Sequence, residues 1–153
     1  LSETVVALER PGYLISTEPA RLDLARIHSF LTASYWAAGI SRGLVEKSIR
    51  HSLPFGLYST ASDSPVQIGF ARVVSDYATF AYLADVYIET EWRGKKLSKW
   101  LLDCILAHPE LKGVRRFCLC TRDAQTLYAQ FGFRNLPHPE NWMEIKLENP
   151  YRP

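Results

Sequence analysis

The 153-residue chain has the size of one compact domain, commonly about 100–150 residues, and is expected to form a single domain over 1–153. Its 47% hydrophobic and 22% charged residues exclude a disordered or fibrous composition. With 18 Lys+Arg against 16 Asp+Glu, the net +2 is too small for general attraction to nucleic acid or a membrane, so any useful positive field is local. No run approaches the roughly 18 apolar residues of a membrane span, and no basic-then-apolar leader opens the chain. A cytoplasmic location without membrane or nucleic-acid partners is the expectation. The three cysteines, Cys104, Cys118 and Cys120, form no CxxC and lie near no His pair. Reduced, mostly buried thiols are therefore expected, with no disulfide framework and no metal site.

In chain order, residues 13–17 (YLIST) read as a short strand. Leu24, Ile27, Leu31 and Tyr35 recur at helical spacing and predict a helix over 23–35, followed by a shorter one over 43–51. An extended stretch from Pro54 ends in the turn-rich run Ser62-Asp63-Ser64-Pro65, and Val66, Ile68 and Phe70 alternate into a strand over 66–74. Residues 79–88 carry one charge, Asp85, which predicts a central strand buried on both faces. Leu97, Trp100, Leu101, Cys104, Ile105 and His108 trace one helix face that Pro109 terminates. A strand over 114–120 follows, then a helix capped by Thr121 with Ala124, Leu127, Tyr128 and Phe131 on one face. Gly132 ends that helix, and residues 141–147 (NWMEIKL) predict a last strand. This order implies a mixed α+β domain, with a parallel pair where a helix joins 79–88 to 114–120.

The segment Glu91-Trp92-Arg93-Gly94-Lys95-Lys96-Leu97-Ser98-Lys99 places four cations at a helix start. Cations oppose the helix dipole there by about 0.3–1 kcal/mol each where exposed, so stability alone does not select them. A bound polyanion reverses that cost. Gly94 allows close backbone approach, and unpaired N–H groups at a helix start suit a pyrophosphate. Neither the dinucleotide fingerprint G-x-G-x-x-G nor the P-loop pattern is present.

The run DVYIETEWRGKKLSKWLL resembles the acyl-CoA-binding motif of the GNAT acetyltransferase superfamily, [QR]-x-x-G-x-[GA] after a strand. Downstream, TLYAQFGFRN resembles its second signature, L-Y-x-x-x-G-F. The resemblance implies a mixed, mostly antiparallel sheet of about 6–7 strands flanked by about 4 helices, matching the element order. Position by position, Arg93 takes the first motif place, Lys96 the first glycine and Ser98 the glycine-or-alanine. Lys96 still offers its amide and adds charge, provided the backbone there does not need a positive φ. Thr121 stands where the family often has an Asn contacting pantetheine.

The resemblance further implies that acetyl-CoA is the co-substrate, held by Val86, Tyr87, Ile88, Arg93, Gly94, Lys95, Lys96, Leu97, Ser98, Lys99 and Thr121. An amide of the 86–88 backbone would stabilise the carbonyl oxygen. A primary amine of a small molecule or peptide would attack directly through a tetrahedral intermediate, with no metal. Tyr128, the motif tyrosine, is the expected proton donor to the departing thiolate, and Asp85 is the first candidate base. Glu89, Glu144 and a water chain compete for the latter role. Tyr82 stands where the histone-acetylating branch has its glutamate, so that role does not transfer.

Two other readings are weighed. Gly39-Ile40-Ser41-Arg42-Gly43 matches the serine-hydrolase pattern G-x-S-x-G, but the elbow needs a preceding strand and the sequence there is helical. A non-catalytic acyl-CoA-binding sensor or interaction module keeps the motif without turnover. The acceptor is not legible in the residues, although Tyr35, Trp36, Phe55, Tyr77, Tyr87 and Trp142 make an apolar or aromatic amine conceivable. A homodimer is left open.

Overall fold

The computed structural model describes residues 4–151. Six strands lie in one sheet in chain order: β1 (Ala7–Arg10), β2 (Tyr13–Ser16), β3 (Leu53–Ser59), β4 (Val66–Ser75), β5 (Phe80–Ile88) and β6 (Arg116–Leu119). All neighbours are antiparallel except β5 and β6, which run parallel because a helical crossover joins them. Four α-helices, α1 (Leu24–Ala33), α2 (Arg42–Arg50), α3 (Leu97–Leu106) and α4 (Gln125–Ala129), complete the α+β architecture among the described residues.

Two apolar clusters hold the layers together. On one face, Leu101, Leu102 and Ile105 of α3 pack with Phe55, Leu57, Ile68, Val73 and Ala81 of the sheet. On the other, Ile27 and Leu31 of α1 and Val45 and Ile49 of α2 pack with Phe70 and Tyr87. Asp23 caps α1, its Oδ1 accepting the Arg26 amide at 3.0 Å, and Ser41 caps α2 by accepting the Leu44 amide at 3.3 Å. Ser41 thus begins a helix without a preceding strand, which removes the nucleophile elbow. Sandwiched β3 leaves no room at Gly56, where a Cβ would lie 2.3 Å from the Tyr58 hydroxyl.

Several expectations are corrected. The first helix ends at Ala33, not Tyr35, because the Ser34 hydroxyl donates to the Leu31 carbonyl at 2.7 Å and accepts the Ala37 amide at 3.1 Å. Tyr35 and Trp36 consequently leave the helix register and stand half exposed. The strand buried on both faces is β3, all seven residues of which are buried, while one face of β5 is half open. Strand β1 lies outside the expected elements, since its four exposed residues carry no apolar alternation. The thiols are not all enclosed: Cys104 is buried, Cys118 half-buried and Cys120 exposed.

The strand expected over 141–147 does not form. After a 3-10 turn at Pro139–Asn141, the chain is held at Trp142, which lies under the Arg116 guanidinium at 5.0 Å, and again at Tyr151, packed on the second cluster. Between those points Met143, Ile145 and Leu147 are exposed. Alternating apolar residues make a strand only where a sheet edge accepts them, and this segment spans a cleft instead.

Candidate active site

The cleft originates in a defect of β5. Its register against β4 shifts between Phe70↔Tyr87 and Arg72↔Ala84, so Asp85 and Val86 face a single residue, Ala71. This is a β-bulge, and Asp85 occupies the left-handed region with φ 55°. On the other side, β6 pairs with β5 only from Phe80 to Leu83. From Ala84 onward the two strands part, leaving the Val86–Ile88 edge without a strand neighbour on that side. The resulting cleft of about 1190 Å³ is lined by β5, the start of α4, the turn after α1 and the chain beyond residue 143.

At the far end of β5, the loop before α3 has the geometry of an anion receptor. Gly94 has φ 80° and Lys96 φ 60°, ψ 20°. The proviso attached to Lys96 therefore fails: its place does require the left-handed conformation that glycine supplies cheaply. A non-glycine residue there costs about 1–2 kcal/mol. No side chain caps α3, so its first amides are free of a capping oxygen, with Lys95, Lys96 and Lys99 around them. Arg93 is turned inward, its Nε donating to the Ile88 carbonyl at 2.9 Å and tying the loop to the end of β5. Leu97 is buried in the first cluster, leaving only its backbone for a ligand.

Asp85 is anchored on the cleft wall. Its Oδ2 accepts from Arg72 Nε and its Oδ1 from the Trp36 indole N–H at 2.9 Å, while Arg72 also donates to the Ser52 hydroxyl at 3.1 Å. Neither partner of the Arg72–Asp85 ion pair is freely solvated, with side chains 19% and 10% exposed. Glu89 is engaged elsewhere, accepting from both Nε and Nη2 of Arg26 at 2.8 and 3.2 Å beside a smaller cleft under α1. Glu144 lines the main cleft and is exposed.

Tyr128 lies on α4 at the same cleft, packed edge-on against Phe133 at 5.9 Å. Burial raises its phenol above the usual tyrosine value, with the nearby Tyr35 adding to the effect, so it is protonated at neutral pH. Thr121 accepts the Ala124 amide at 3.0 Å but does not cap the helix: α4 begins at Gln125 behind Ala124, which has no side-chain oxygen to cap it, and the Thr121 bond closes a turn ahead of the helix instead. Tyr82 shares the wall with Cys120; burial first, then hydrogen bonding to that thiol, pushes its phenol up to about 12. Cys120, expected as a mostly buried thiol, lines the cleft instead. Its position immediately after the end of β6, where the two strands part, is a tertiary fact that spacing does not carry. Among the described residues, no group of three or more His, Cys, Asp or Glu is placed to hold a metal ion, and no helix is long and apolar enough to cross a membrane.

A mostly antiparallel sheet thus opens at one parallel pair, with a basic helix start that no side chain caps at the end of β5. The model of the acetyltransferase (GNAT) domain matches residues 54–135, more than half of the chain. A protein of Gibberella zeae named as an inferred acetyltransferase is 31% identical over 140 residues, covering 79% of this chain and 78% of that one. The crystal structure of an inferred GNAT-family acetyltransferase from Xanthomonas campestris pv. campestris is 44% identical. It covers 94% of this chain and 99% of its own, with a TM-score of 0.87. A GNAT-family acetyltransferase from Elizabethkingia anophelis, solved with acetyl-CoA bound, shares the fold at 14% identity and a TM-score of 0.62, covering 92% and 91%. The chain belongs to the GNAT acetyltransferase family.

Proposed function

We propose that the protein moves the acetyl group of acetyl-CoA to a primary amine of a small molecule or peptide. The observation that carries this reading is the parting of β5 and β6 at the Asp85–Val86 bulge, between the α3 anion receptor and Tyr128. The pyrophosphate would sit on the amides of the loop and α3 from Gly94 to Ser98, with Lys95, Lys96 and Lys99 opposing its charge. Arg93 holds the loop rather than the phosphate. The pantetheine arm would follow the Val86–Tyr87 edge with Thr121 across the gap. Ile88 closes that edge, since its carbonyl already accepts from Arg93.

The neutral amine attacks the thioester carbonyl, forming the C–N bond and a tetrahedral intermediate whose collapse breaks the C–S bond. A backbone amide of the bulged strand stabilises the oxygen that becomes negative. The Tyr128 phenol donates its proton to the leaving thiolate, which its raised pKa allows over the whole neutral range. The amine's proton leaves through water to a carboxylate of the cleft. Asp85 is the proposed acceptor, with Arg72 and Trp36 fixing its orientation; Glu144 is the competitor.

The alternative, a non-catalytic acyl-CoA-binding module, draws on Lys96 and Ser98 replacing small motif residues. The left-handed backbone retained at Lys96 weakens that objection. Thiol release from acetyl-CoA across an amine panel, with acetyl-CoA binding followed by calorimetry, separates the two. Turnover supports transfer, whereas binding without turnover on any amine supports the module. Tyr128→Phe should lower kcat by about 100-fold or more with little change in acetyl-CoA affinity. An unchanged kcat would remove Tyr128 from the role.

A further inference from the structure

Two large aromatic side chains face the cleft without cover. Tyr35 is 53% and Trp36 42% exposed, and their rings meet edge-to-face at 5.0 Å. Both rings have a polar partner in the same cleft wall. The Trp36 indole N–H is bound to Asp85 Oδ1, and the Arg122 guanidinium lies 3.8 Å over the Tyr35 ring. A solvent-facing pair of rings held in one orientation is preorganised: a flat apolar body laid against it buries apolar area without first ordering the side chains.

The charges around this wall favour the same kind of ligand. The cleft is lined by Arg72, Arg122 and Lys146 on the cationic side and by Asp85, Asp123, Glu144 and Glu148 on the anionic side. Arg72 is bound to Asp85 and Ser52. Arg122 is stacked on Tyr35 and lies 3.6 Å from Asp123. The Arg72 guanidinium is thereby engaged, whereas Arg122 is 64% exposed and its contact with Asp123 is a surface one of little strength. A cationic amine enters a lining in which four carboxylates face three cations, and an anionic acceptor meets that excess as repulsion.

We infer that the acceptor is a primary amine carried on a flat apolar body, such as an arylalkylamine, seated against Tyr35 and Trp36, and not an amino-sugar phosphate. This rests on the acetyl-transfer reading for its chemistry, but the recognition itself can be measured without turnover. The purified protein would be given 2-phenylethylamine or glucosamine 6-phosphate with acetyl-CoA, reading thiol release. In parallel, calorimetry would follow the binding of each amine to the protein saturated with CoA.

The expected result is at least a ten-fold higher kcat/KM, and tighter binding, for 2-phenylethylamine. Tyr35→Ala should raise the KM for that amine by about ten-fold while acetyl-CoA affinity is unchanged. Trp36→Phe, which keeps a ring but removes the N–H, should weaken it less than Trp36→Ala. Equal or better use of glucosamine 6-phosphate would overturn the inference, as would a Tyr35→Ala KM like that of the parent chain. If neither amine is acetylated, the transfer reading loses support. The acceptor inference is then decided by calorimetry: saturable 2-phenylethylamine binding lost in Tyr35→Ala sustains it, and no binding ends it.

Discussion

Strands β3 and β5 belong to the same sheet and differ in how they are covered. β3 is paired along both edges and has a helix layer over each face, and all seven of its residues are buried. β5 is paired on both edges only as far as Leu83; beyond it a bulge, a left-handed Asp85 and an open edge replace the regular ladder. The closed strand is held by apolar contact and contributes chiefly stability. The open strand tolerates strain and charge, with the Arg72–Asp85 pair and the Arg93 tie to Ile88 standing in for the missing neighbour. Separating these tasks lets an open, bulged strand line the cleft because a fully buried one lies two places away.

The sharpest break in this contrast should come from the closed side. Phe55, 1% exposed, packs in the first cluster and meets His108 edge-on at 5.8 Å. Phe55→Ala should cost about 3–5 kcal/mol of folding free energy in urea unfolding. The acetyl-CoA affinity of the remaining folded protein should hold. A loss below about 1 kcal/mol would mean that β3 is not the stabilising strand.

On the open side, Lys96→Gly should act in opposite directions on stability and binding. Relief of the left-handed strain, offset by added unfolded-state freedom, should stabilise the fold by about 0.5–1 kcal/mol. Removal of one phosphate-facing charge should weaken acetyl-CoA binding several-fold and flatten its salt dependence. Should the variant bind as tightly as the parent, Lys96 serves the loop's shape and not its charge.

The smallest effect is a pH dependence confined to the closed side. Burial lowers the pKa of His108, with Glu110 acting the other way. In the unfolded chain this group takes up its proton near pH 6.5, and in the folded chain only at lower pH. The unfolded state therefore binds more protons in that window. Stability is full above about pH 6.5 and falls as the pH drops towards the folded value. His108→Gln should flatten this part of the unfolding profile, and a profile that keeps its slope would place the titration elsewhere.

Much of this organisation is legible in the residues. The α3 face of Leu97, Trp100, Leu101, Cys104 and Ile105 is buried as its spacing requires, and α1 starts behind Asp23, whose side chain caps it. The basic helix start and the tyrosine of α4 are local patterns, so they survive translation into a fold without modification. The failures share one cause. Residues 141–147 alternate as a strand does, but a strand exists only by pairing, and the partner is a matter of tertiary arrangement. Tyr35 fits the α1 periodicity, yet one serine hydroxyl ends the helix before it and turns the ring into the cleft.

By itself, then, the sequence determined the α+β layout, the basic turn before α3 and the motifs of the acetyltransferase family, because each depends on residues close together in the chain. Only the tertiary structure decided which strand is sealed and which is open, that Lys96 is left-handed, and that Arg72, Asp85 and Trp36 form one cluster. Those features bring together residues up to 49 positions apart, and no local spacing encodes contacts made by bulge, splay and burial.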